Sequence, residues 1–148
     1  MSYVHIVTVG ASLASNYERD KAKVAASEVD IEEKLTKITE AERTQYGKEL
    51  LRYVQEKEVA GELVKVSAEL NGLSRYLKEI SMVYLIHTDT NLGRCCAEAL
   101  RDFLATKDIQ VPEPIEIRDL HSQETFQKGL GNLIRKVAYL LAQHRKVR

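Results

Sequence analysis

Apolar residues fall into two spacings along this chain, and the change from one to the other marks its elements. From Tyr3 to Val9 the run Tyr-Val-His-Ile-Val-Thr-Val is rich in β-branched residues and reads as a buried strand. The small residues Gly10-Ala11-Ser12-Leu13-Ala14-Ser15-Asn16 follow, a turn that brings backbone close to a ligand and then opens a helix. Ile31, Leu35, Ile38, Tyr46, Leu50, Tyr53 and Val54 recur at roughly helical spacing. They predict one or two long amphipathic helices between about Asn16 and Lys57. Fourteen of the twenty-six residues from Glu18 to Arg43 are charged, which reads as the solvated face of those helices.

Gly61 punctuates the next loop, and Ser67 is placed to cap a helix with Glu69 in its first turn against the dipole. That helix is expected from Ala68 to about Glu79, burying Leu70, Leu73 and Leu77. Met82 to Ile86 is an unbroken apolar run of strand length, the pattern of a parallel strand covered on both faces. His87-Thr88-Asp89-Thr90-Asn91 forms a polar turn at its carboxyl end. A helix follows over Leu92–Thr106, carrying Leu92, Cys96, Ala99, Leu100, Phe103 and Leu104 on one face. Pro114-Ile115-Glu116-Ile117 is a short third strand. Gln123 to His144 is a last helix, with Phe126, Leu130, Leu133, Ile134, Val137 and Leu141 in register.

The order βα(α)αβαβα defines the fold class as α/β, a Rossmann-like parallel sheet with flanking helices and right-handed crossovers. Such sheets bind ligands beyond the carboxyl ends of their strands. Gly10–Asn16 and Thr88–Asn91 stand at two of those ends and are expected to converge on one site. A helix N-terminus there offers N–H groups and a positive dipole end to an anion.

Length and charge then narrow the function. At 148 residues the chain reads as a single domain over 1–148. Its 22 basic and 22 acidic residues cancel, so no direct DNA binding is expected. Cys95 and Cys96 are the only cysteines. Being adjacent, they form no ordinary structural disulfide, and no zinc-type spacing exists. No metal and no cofactor are expected, and no membrane association. The cysteine usage fits the cytoplasm. His5 and His87 lie in or at the end of strands and read as packed or hydrogen-bonded residues; His121, before the last helix, is nearer the strand ends. No Walker loop, GxGxxG or Ser-His-Asp arrangement occurs.

The turn Gly10-Ala11-Ser12-Leu13, the stretch Ser67-Ala68-Glu69-Leu70, and Leu85-Ile86-His87-Thr88-Asp89-Thr90 with Gly93 and Ala97 together resemble the CARF (CRISPR-associated Rossmann fold) domain family. So does Phe126-Gln127-Lys128-Gly129-Leu130-Gly131-Asn132-Leu133. The resemblance implies a homodimeric sensor for type III CRISPR antiviral defence. Its ligand would be a cyclic oligoadenylate, tetra- or hexa-adenylate, bound across the two-fold axis. It places ligand contacts on Gly10, Ala11, Ser12, Leu13, Ser15 and Asn16, and on Thr88, Asp89, Thr90 and Asn91. Some members also open the ring without a metal, as ring nucleases. The positions that would assist such cleavage here are Ser12, Thr90, Arg94 and Lys128. Family members continue past the last helix into a further strand and a Gly-Gly loop, and none of the usual effector domains follows here. Against the resemblance, the expectation is either a compact variant of the domain or a fragment truncated at its C-terminus. The competing expectation is a protein-interaction or structural domain that keeps the Rossmann-like core without the ligand.

Overall fold

A computed structural model describes residues 3–23, 25–120 and 122–145. Strand β1 (Tyr3–Val9) leads into helix α1 (Ser12–Ala22), followed by α2 (Glu28–Lys37), α3 (Glu40–Val59) and the short α4 (Ala68–Leu73). Then come β2 (Ile80–Thr88), α5 (Asn91–Ala105), β3 (Ile115–Ile117) and α6 (Phe126–Arg145). The three strands run parallel in the spatial order β1-β2-β3.

Where one or two long helices were expected between Asn16 and Lys57, three form, and the first starts earlier, at Ser12. Local capping makes the breaks. Lys23 closes α1 in the left-handed region at φ 59°. The Ser27 hydroxyl accepts from Asp30 N to start α2. Thr39 and Glu42 then form a reciprocal capping box that starts α3. The helix expected to reach Glu79 stops at Leu73 and tightens into a 3-10 turn over Ser74–Tyr76, which leaves Leu77 only partly buried. The Ser74 hydroxyl bonds back to Asn71 O at 3.3 Å and helps end the helix. Residues 123–125 form a turn ahead of α6.

Alternation along β2 sends its side chains to two layers. Val83 and Leu85 join the larger core with α1, α3 and α5, whose centre holds the fully buried Leu13, Leu50, Leu100 and Phe103. Ile86 and Tyr84 point the other way and meet Ile6, Ile117 and α6 residues Leu133, Val137 and Leu140. Helices thus cover both faces of a doubly wound sheet. Two expectations change. β1 is not a buried strand: it lies at the sheet margin, Tyr3 and Val4 are exposed, and only Val9 is buried. On α6 only one side of the apolar pattern packs, while Phe126, Leu130, Ile134 and Leu141 remain exposed.

A tyrosine–carboxylate lattice joins α1 to α3. The hydroxyls of Tyr17, Tyr46 and Tyr53 donate to Glu49 (3.0 Å), Glu18 (2.9 Å) and Asp20 (2.6 Å). The Tyr17 ring meets the other two edge-on, with centroids 5.9 and 5.5 Å away. Burial, and then the carboxylate each hydroxyl faces, pushes all three phenols above their usual range, Tyr17 to about 12. Below pH 10, the ordinary tyrosine value, both native and unfolded chains keep these protons. Above it the unfolded chain ionises first, so native stability falls as pH climbs from 10 through 12. Urea midpoints between pH 8 and 12 should show this drop, and the triple Phe variant should flatten it.

Candidate functional site

The first turn owes its shape to a partner far along the chain. Gly10 N donates to Glu69 Oε1 at 3.0 Å, and the Ser12 hydroxyl donates to Glu69 Oε2 at 3.2 Å. Ser12 Oγ also accepts from Ala68 N at 3.0 Å. Glu69 is buried, so its carboxylate pins the β1–α1 turn to the start of α4. Asn16 serves the same junction, donating to Val66 O at 2.8 Å. Leu13 is wholly inside the core. Among the described residues no side chain caps α1 and no acid stands in its first turn. The Glu69 carboxylate, on Gly10 N and the Ser12 hydroxyl, is the negative group that stands at that end instead.

The second turn is built differently. Thr88 belongs to β2, where it pairs with Ile117. Thr90 is the N-cap of α5, its hydroxyl accepting from Gly93 N at 2.9 Å and lying 3.0 Å from Thr88 Oγ1. Gly93 makes that packing possible: a Cβ there would lie 2.8 Å from Thr88 Oγ1 and 2.9 Å from Thr88 O. The amides of Asn91 and Leu92 donate to the two carboxylate oxygens of Glu32, at 3.0 and 2.9 Å.

Both turns open on one cavity of about 680 Å³. Gly10 and Ala11 line it from the first turn, and Thr88, Thr90 and Gly93 from the second. Val9, Leu92 and Leu120 give it apolar walls, and α2 closes it with Glu28, Val29, Glu32 and Glu33. Ser12 faces a neighbouring cavity of about 660 Å³ bounded by β1 and α4. Ser15, Asp89 and Asn91 are absent from both linings. Arg94 and Lys128 also stand apart, each in an exposed ion pair, with Glu116 at 2.9 Å and Asp119 at 3.6 Å. Among the described residues no lysine or arginine lines either cavity.

Sequence patterns singled out neither Glu32 nor the bridging role of Glu69. Glu32 sits in the charge run read as solvated, and Glu69 was assigned only to its own helix dipole. Their partners lie 57 to 60 residues away, beyond any local signal.

The remaining candidates resolve into structure. His87 is buried, with Nδ1 2.7 Å from Thr88 O. His5 stacks obliquely near Tyr76, and His144 Nε2 meets the Tyr84 hydroxyl at 2.9 Å. His121 lies outside the described residues. Burial pushes the thiols of Cys95 and Cys96 up to about 11 and 12, so both are protonated at neutral pH and poor nucleophiles. Among the described residues no three His, Cys, Asp or Glu side chains stand close enough to hold a metal ion. No helix among them is long and apolar enough to cross a membrane.

Parallel strands, helices on both faces and a cavity at the carboxyl strand ends define a Rossmann-like α/β protein. The chain belongs to the CRISPR-associated protein family Cas_APE2256, whose family model matches residues 64–147. That span takes in α4, β2, α5, β3 and α6, and with them the second turn. Membership gives the protein a role in CRISPR defence. A search of curated proteins finds no match.

Proposed function

We propose that this protein is a CARF-type sensor whose cavity between the β1–α1 and β2–α5 turns takes part of a cyclic oligoadenylate. One observation carries the reading: Gly10 and Ala11 meet Thr88 and Thr90, 77 to 80 residues further along the sequence, at a single cavity of about 680 Å³. The hydroxyls of Thr88 and Thr90 suit ribose hydroxyls. Val29, three-quarters exposed at the cavity rim, and Leu120 offer apolar surface to a base. A ring with an even number of nucleotides shares the symmetry of a two-fold dimer, so each of two protomers would hold half. Ring opening would need only an aligned ribose hydroxyl and a stabilised phosphate. Thr90, whose side chain lines that cavity, is the candidate to align it, whereas the Ser12 hydroxyl is held by Glu69 at the neighbouring one.

Calorimetric titration with cyclic tetra-adenylate and cyclic hexa-adenylate tests the reading. One ring should bind per two chains. Thr90→Ala should weaken binding by about tenfold, the loss of one hydrogen bond to a charged group, and Gly93→Ala should weaken it because its Cβ would press on Thr88 Oγ1 and O. A folded protein that takes up neither ring would sink it. Incubation in EDTA reads the cleavage step, through linear products ending in a cyclic phosphate. The exposed apolar stripe Phe126, Leu130, Ile134 and Leu141 on α6 favours the second reading, a protein-interaction domain. That reading takes over if no ring binds.

A further inference from the structure

Helix α2 reaches into the cavity and satisfies with its own carboxylate the donors that open α5. We infer that Glu32 is an internal latch: it occupies the place of an anionic ligand group at Asn91 and Leu92, and α2 must swing aside for the ring to seat. The inference rests on the sensor reading and concerns the regulation of that same site.

Three observations support it. The contact is two-pronged, Glu32 Oε1 on Asn91 N and Oε2 on Leu92 N at 3.0 and 2.9 Å, the pattern two oxygens of a phosphate would make. The latch also bounds the cavity itself, with Glu28, Glu33 and Thr36 of the same helix. An anion approaching the α5 dipole therefore meets three carboxylates first. Finally, α2 is held unequally at its two ends. Arg43 Nη1 donates to Leu35 O and Ile38 O, at 3.0 and 2.7 Å, and ties the C-terminal end to α3. The N-terminal end begins at Ser27, whose hydroxyl and carbonyl accept from Asp30 N and Ile31 N of the same helix. Between them, Ile31 and Leu35 anchor the inner face. An outward swing about the Arg43 end withdraws Glu32 from the amides while keeping the helix attached. The ligand gains the two amides and loses the repulsion of the carboxylate in one movement.

Glu32→Gln breaks the latch without changing its size, because the side-chain amide has one acceptor oxygen for two N–H donors. Glu32→Asp keeps the charge and shortens the reach. Both variants should bind cyclic tetra-adenylate about tenfold more tightly than the natural protein. Asp30→Asn removes one exposed charge from the same helix outside the cavity lining, and should change affinity by less than about twofold. Hydrogen exchange over 28–37 should accelerate when the natural protein takes up the ring. The latch is overturned if Glu32→Gln binds no more tightly, or if Asp30→Asn gains as much. A ligand-independent arm keeps the two claims apart. Inorganic phosphate at millimolar concentration should shift the Asn91 and Leu92 amide resonances in Glu32→Gln and leave them in place in the natural protein. Phosphate shifts without ring binding would remove the ring and keep the latch. Absent shifts would remove the latch even where rings bind.

Discussion

Replacing Gly129 by alanine should destabilise the protein by about 2–3 kcal/mol and lower its melting temperature by roughly 5–10 °C. Helix propensity points the other way, since alanine is favoured over glycine inside a helix by about 1 kcal/mol. Space decides the sign. A Cβ at Gly129 would lie 2.5 Å from Asp119 C, 2.6 Å from Asp119 O and 2.7 Å from Leu120 N. These are backbone atoms and have no rotamer into which to escape. The turn they belong to is itself fixed: Asp119 sits at φ 72°, and its carbonyl accepts from the Thr125 hydroxyl at 3.1 Å. Alanine would therefore push α6 off the sheet and open the layer around Ile86, Ile117 and Leu140. Gly131, two residues on, supplies the control. There a Cβ would meet only the flexible Arg135 guanidinium, no closer than 3.5 Å, so Gly131→Ala should stabilise by up to about 1 kcal/mol. Thermal unfolding of the pair, one falling and one rising, checks the account. Equal shifts would refute the close approach.

Glu69→Ala should cost about 2–3 kcal/mol, well above the effect of removing a surface charge. The carboxylate is buried and accepts from Gly10 N and the Ser12 hydroxyl. Alanine leaves the first without its partner in a half-closed turn and frees the second to rotate. It also cuts the tie between β1 and α4. Glu69→Gln keeps one acceptor and the volume, and should lose about 1 kcal/mol. Urea unfolding with an unchanged slope would show that stability alone has moved. If the Gln and Ala variants lose equally, the bridge is not what holds the turn.

Most of the architecture was legible because it rests on signals within a few residues. Alternation and helical spacing identified β1, β2, α5 and α6, and the order of elements gave the parallel sheet. Even the missed breaks had local marks: Ser27 before Asp30, and Thr39 three residues before Glu42, are both capping patterns. The long charge run hid them, since both helices expose charged faces. What local pattern could not supply was position within the sheet. An apolar run such as Tyr3–Val9 looks the same in a central strand and at a margin, and topology alone decides. The candidate site divided the same way. The convergence of the two turns followed from the strand order, whereas the carboxylates that fill their donors came from helices whose charge looked like solvated surface. Arg94 and Lys128 were assigned by position, and their ion pairs with Glu116 and Asp119 are tertiary facts.

The marginal position of β1 also bears on how the protein is made. Its hydrogen-bonding partner is β2, and the register runs from Tyr3↔Ile80 to Val9↔His87. Synthesis at roughly 5–20 residues per second separates the two by about 4–15 s. Through that interval the strand with no charged residue waits while α1, α2 and α3 emerge behind it. No lysine, proline or acid within Tyr3–Val9 guards it against pairing with another chain. Once β2 arrives, one side of β1 closes, and among the described residues no strand pairs with the other. The yield of native protein will therefore depend on temperature and expression rate more steeply than its thermodynamic stability suggests.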